Sequence, residues 1–212
     1  MGRHFAVISK TNPKTPISPA PGQPVPAAWP SSEPPRPASA EYAQLVHLLF
    51  RTPAAVAIVG GHVSKGGTSD VAENLAAELG ASGKRVVVVD VSTLLSNPSI
   101  PVPDDASFVL GSSTQVWLWP RSSEQRIEIY KPREASGPRH WLDALRDRFD
   151  AIVLDCPNIE TVAGVSEVAS MADTTVLAIE AGVRSKRQIE QDQSALQLRG
   201  ATVVGCILIQ RG

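Results

Sequence analysis

The sequence has only two cysteines, Cys156 and Cys206, in 212 residues. Both stand in apolar, strand-like runs without metal-ligand spacing, which points to two buried free thiols. A surplus of either charge is also missing, since 20 Lys+Arg face 21 Asp+Glu and leave a formal net charge of −1. No global positive field recruits nucleic acid or anionic lipid, so no nucleic-acid partner is expected. Long apolar runs are absent too. The strongest, Val86–Val89 and Ile152–Leu154 with their neighbours, fall far short of the roughly 20 residues that span a bilayer. The N-terminus carries Arg3 and His4 without an apolar signal core, and Ala6 breaks the myristoylation pattern that Gly2 would begin. A cytoplasmic chain without direct membrane insertion is the expectation.

Proline, by contrast, is plentiful and unevenly placed: ten of the 18 lie between Pro13 and Pro37. A stretch so poor in large apolar residues cannot bury enough surface to offset its ordering entropy. Residues 1–38 therefore read as a proline-rich disordered tail, most simply a spacer, although Pro34-Pro35-Arg36-Pro37 resembles a polyproline II epitope. Residues 39–212 form the domain. It opens with a short amphipathic helix over Glu41–Leu49, with Ser39 as its N-cap.

The body alternates short β-branched runs with helical periods. Strands are expected at Val56–Val59, Arg85–Val89, Ala151–Leu154, Thr174–Ile179 and Val203–Ile209. Helices are expected at Asp70–Gly80, Trp141–Arg148, Thr161–Ala172 and Ser185–Leu198. This order implies an α/β fold, a doubly wound, mostly parallel sheet covered on both faces. The middle, 92–137, has few helix signals and reads as long loops with two short strands, Val116–Trp119 and Ile127–Tyr130. Its tryptophans are expected to cover the sheet.

The first strand runs into Gly60-Gly61-His62-Val63-Ser64-Lys65-Gly66-Gly67-Thr68-Ser69 and then a helix. Backbone N–H groups of such a turn, with the helix dipole behind them, favour an anion. A working phosphate loop needs G-x-x-x-x-G-K-[ST], in which the lysine reaches the phosphates and the hydroxyl holds Mg²⁺. Counted from Gly61, Gly67 fills the lysine position and Thr68 supplies the hydroxyl; counted back from Asn74-Leu75-Ala76, they are Thr68 and Ser69. Neither register provides the lysine, and Lys65 lies inside the loop. His62 reads as a solvated turn residue rather than a general base, His140 as a helix-entry residue, and Arg184-Ser185-Lys186-Arg187 as a solvated face.

These motifs resemble the deviant Walker ATPases of the MinD/ParA group. The residues that carry the likeness are Gly66-Gly67-Thr68-Ser69, Asn74-Leu75-Ala76 and Gly83–Asp90, then Phe149–Pro157, Ala172-Asp173, Ala181-Gly182 and Gly205–Ile209. Within that group the sequence is most similar to the cytoplasmic domain of bacterial tyrosine kinases, the BY-kinases of the CpsD/Wzc capsular polysaccharide type. The likeness covers about residues 40–212, with 92–137 poorly matched. It implies a P-loop NTPase-like three-layer sandwich. It also implies a nucleotide site at Gly61, Lys65, Gly66, Gly67, Thr68, Ser69, Gln210 and Arg211, catalytic carboxylates at Asp90 and Asp155, and Mg²⁺ at Ser69, Asp90 and Asp155. ATP or ADP with Mg²⁺, or no cofactor at all, remain open.

Departures from that pattern accumulate. Asp-x-Asp after the second strand is here Asp90-Val91-Ser92, and the family's Asn-Arg is Gln210-Arg211. The oligomerisation motif Glu-x-x-Arg-x-x-Arg reads Glu41-x-x-Gln44-x-x-His47, and only Tyr42 and Tyr130 are present in place of a tyrosine-rich tail. A missing donor at the transferring phosphate costs about 3–4 kcal/mol of transition-state stabilisation, hundreds-fold in rate. The resemblance therefore implies a degenerate pseudo-kinase or pseudo-ATPase serving exopolysaccharide or capsule synthesis and export. Its partner would be a membrane chain-length, co-polymerase or other polysaccharide-synthesis protein that holds it at the inner membrane as a homo- or hetero-oligomer. The rivals are an active autophosphorylating kinase or ATPase using Lys65, and a MinD/ParA-like positioning ATPase.

Overall fold

The computed structural model describes residues 4–10, 40–50, 54–61, 63, 67–96, 109–110, 116–119, 138–160 and 162–211. Among the described residues eight strands make one sheet: β1 (His4–Lys10), β2 (Ala54–Gly60), β3 (Val86–Asp90), β4 (Val109–Leu110), β5 (Val116–Trp119), β6 (Ala151–Asn158), β7 (Thr174–Glu180) and β8 (Val203–Arg211). Their order is β1-β8-β7-β2-β6-β3-β5-β4. Every neighbouring pair is parallel except β4 with β5. The doubly wound, mostly parallel sheet expected from the sequence is the architecture found.

Residue alternation along the strands explains the layers. Ala55, Ala57 and Val59 of β2 face a core completed by α3 (Val91–Ser96), α4 (Pro138–Arg146), α5 (Val165–Met171) and α6 (Lys186–Leu198). Val56 and Ile58 face the opposite core, completed by α1 (Ala40–Leu49) and α2 (Gly67–Ala81). Strands covered on both faces need apolar residues at every position, which is why β3 is four valines before its aspartate. The tryptophans cover the sheet: Trp119 packs on Trp141 with centroids 5.8 Å apart, and Trp117 packs on Phe149 at 5.6 Å. Both cysteines are buried and free. Among the described residues no helix is long and apolar enough to cross a membrane.

Three local readings are corrected. His4–Lys10, assigned to the 1–38 tail, is the edge strand β1, in register with β8 from His4↔Gly205 to Lys10↔Arg211. Its run Phe5-Ala6-Val7-Ile8 is β-prone and precedes the first proline, so the ladder of β8 can accept it. Residues 11–39, with the polyproline-like stretch, lie outside the described residues, as does Ile127–Tyr130. Helix α3 occupies part of the stretch read as loops. It forms because Asp90 caps its first turn, accepting from the Thr93 N–H at 3.1 Å and the Thr93 hydroxyl at 2.6 Å. Helix α5 begins at Val165 rather than Thr161, because Gly164 before it has φ 92°, a left-handed conformation outside the helix.

Candidate functional site at the carboxyl end of the sheet

Strand β2 lies between β6 and β7, and the chain winds away from it in both directions. Helix α2 carries it to β3 on one face, while α5 and α6 carry it through β7 and β8 on the other. Open α/β sheets bind ligands at such a switch point, beyond the carboxyl ends of the strands. The glycine-rich loop leaves β2 there. Its first residues are pinned on both sides: the Gly61 N–H donates to Ala178 O at 2.8 Å, and the Ile159 N–H donates to Gly60 O at 2.9 Å. A Cβ on Gly60 would collide with the Asn158 side chain, and one on Gly67 with the Val63 side chain, so only glycine fits either place.

Helix α2 begins at Gly67, and from its first turn Ser69 donates its hydroxyl to Asp155 Oδ2 at 2.6 Å. The Thr68 side chain also hydrogen-bonds Asp155, so both hydroxyls that the two registers offer meet this carboxylate, and the lysine position, Gly67 or Thr68, holds no cation in either. Lys65 and Gly66 lie outside the described residues. Gln210 is exposed near the end of β8, and Arg211 ends that strand; β7 separates both from β2.

Asp90, the last residue of β3, is the register partner of Asp155 within β6. Burial pushes the Asp155 carboxyl above the usual carboxylate range; the Ser69 and Thr68 hydrogen bonds oppose this, and the nearby charges of Asp90 and Asp70 add to it. Partial burial raises Glu73 as well, reinforced by Asp70 and Asp155. Asp70 and Glu73 are exposed on α2 and add negative charge near Asp155; Glu73 stands four residues after Ser69 in the helix, hence on the same face.

Hydroxyl and carboxylate oxygens are hard donors that suit Mg²⁺, so Ser69, Asp90 and Asp155 fit that ion by chemistry. Among the described residues, however, no group of three or more His, Cys, Asp or Glu is placed to hold a metal. Both Asp90 oxygens already hold Thr93. The loop and the helix N-terminus suit a phosphate, whereas the four carboxylates Asp70, Glu73, Asp90 and Asp155 oppose one.

No family profile matches the chain. It is 26% identical over 160 residues to the tyrosine-protein kinase YwqD of Bacillus subtilis, a match covering 67% of this chain and 66% of that protein. The kinase domain of the Escherichia coli tyrosine kinase ETK superposes with a TM-score of 0.63 at 17% identity, covering 79% of this chain and 72% of that one. The chain has the BY-kinase-like P-loop fold. The MinD protein of Pyrococcus horikoshii, solved with Mg-ADP, shares it at TM-score 0.52 and 18% identity, with 73% and 69% covered. In this BY-kinase-like fold the chain spans just under two thirds of its curated relative's length.

Proposed function

We propose that the chain is a catalytically degenerate BY-kinase-like protein, a regulatory or binding module of bacterial exopolysaccharide or capsule synthesis and export. One observation supports this reading: Ser69, at 2.6 Å, and Thr68 both hydrogen-bond Asp155 at the start of α2, and whichever of Gly67 or Thr68 takes the lysine position of a phosphate loop, no cation stands there. A threonine hydroxyl directed at a carboxylate brings no positive charge to a transferring phosphoryl group, on which phosphoryl transfer depends. The engaged oxygens of Asp90 and the Ser92 at the second carboxylate position support the same reading.

The setting follows from the resemblance to bacterial tyrosine kinases, of which YwqD is a curated relative. In that setting the module docks on a membrane chain-length or co-polymerase protein, with the proline-rich segment as tether and the inner membrane reached through the partner. Any Mg²⁺ would be held by Ser69, Asp90 and Asp155. Any nucleotide would lie along Gly61, Lys65, Gly66, Gly67, Thr68 and Ser69 toward Gln210 and Arg211, and would serve recognition rather than turnover.

Titration calorimetry with ADP and ATP, with and without Mg²⁺, together with a steady-state ATPase assay, tests this. No turnover is expected in the wild-type chain. Steady hydrolysis or autophosphorylation lost in both Asp155→Ala and Lys65→Ala would instead establish the active-enzyme reading.

A further inference from the structure

The loops around the phosphate site are fastened to one another by side chains of this chain. The Val63 N–H donates to Asn158 Oδ1 at 3.1 Å, and Asn158 Nδ2 donates back to Val63 O at 3.1 Å. Two residues beyond Asn158, Glu160 accepts from Arg184 at 2.7 Å. Arg184 also pairs with Asp192 of α6 at 3.5 Å. The arginine side chain is 8% exposed and the Asp192 side chain 11%, so of the run read from sequence as a solvated face Arg184 turns inward, while Ser185, Lys186 and Arg187 are exposed as expected. Together the bonds run from the phosphate loop through the loop after β6 and the loop after β7 into α6.

Each link is strong for a physical reason. A reciprocal pair from one carboxamide fixes both the N–H and the C=O of Val63, so the loop cannot turn there without losing two bonds. Gly60 leaves the space that Asn158 fills. The Arg184 guanidinium faces the half-exposed Glu160 and the buried Asp192, and losing it leaves the desolvated Asp192 charge without its guanidinium. In P-loop switches of other kinds, such loops are ordered by the γ-phosphate and Mg²⁺ and released on hydrolysis.

We propose that Asn158 and Arg184 are positioning residues that hold Gly61, Val63 and Ile159 in the same arrangement whether or not nucleotide is added, so that this part of the carboxyl edge presents a constant surface to its partner. This rests on the reading of that edge as a degenerate phosphate site. Its regulation then comes from the abundance of the protein or of its partner, not from a nucleotide cycle.

Amide-resolved hydrogen exchange on the full chain, with and without millimolar Mg-ADP, tests it. In the wild type, exchange at Gly61, Val63, Ile159 and Val183 is expected to stay within about twofold on adding Mg-ADP. In Asn158→Ala, exchange at Val63 and Gly61 should rise by at least about tenfold. In Arg184→Met, the rise should reach Ile159 and Val63, on elements other than its own; a role confined to local packing would stop at 181–192. Protection of these amides by Mg-ADP in the wild type would overturn the proposal, as would a response to Arg184→Met that stays local. The wild-type arm holds even if a variant does not fold. ATP turnover is scored separately, so a failed lock and a failed pseudo-enzyme reading give different results.

Discussion

Ser69 and Asp155 meet at 2.6 Å, joining the first turn of α2 to β6. Burial holds the Asp155 carboxyl above its ordinary range. A carboxyl whose folded-state pKa is raised opposes folding once it is ionised. The full cost is present above the folded pKa and fades as the pH falls toward the unfolded value. Asp155→Asn keeps an acceptor for Ser69 and removes the charge. It should raise the melting temperature by a few degrees at pH 7, with the gain shrinking through the raised window and gone once the unfolded carboxylate range is passed. Thermal melts of both proteins across that pH series check the sign.

Arg184 offers a larger effect of opposite direction. Removing it leaves Asp192, 11% exposed at its side chain, as a buried carboxylate without its guanidinium. Arg184→Ala should destabilise the fold by about 3 kcal/mol. In the Asp192→Asn background the loss should be markedly smaller, because the stranded charge is then absent. Urea unfolding of the double-mutant cycle measures this coupling.

Gly60→Ala tests the close approach of β2 and β6. The new methyl would displace the Asn158 carboxamide, at a cost of about 1–3 kcal/mol for overpacking a tight site. Asn158→Ala in the same chain should recover part of that loss, since the side-chain clash disappears with the carboxamide. Denaturant midpoints of the two single variants and the double variant decide it.

The cysteines should be silent. Cys156 is fully buried, and burial with the nearby Asp155 charge pushes its thiol far above the ordinary thiol range. Cys206 is 8% exposed. Neither should react with a thiol reagent at pH 8 on the time scale of minutes, and both should react once the chain is unfolded. Mass spectrometry of the alkylated protein with and without denaturant gives the count.

The sequence by itself determined the layered α/β fold, because continuous valine and isoleucine runs can only be strands buried on two faces, and helical periods between them force parallel crossovers. It also marked the glycine-rich turn after β2 and the carboxylates Asp90 and Asp155, since glycine spacing and short-range order are local properties. Tertiary structure alone brought the Thr68 and Ser69 hydroxyls onto Asp155, a contact that for Ser69 spans 86 positions of chain. It alone turned Asp90 into the cap of α3 and paired the buried Arg184 with Asp192 and with the half-exposed Glu160. Each of these depends on which strand ends the sheet brings together, and a charged residue read along the chain carries no record of the partner that folding supplies.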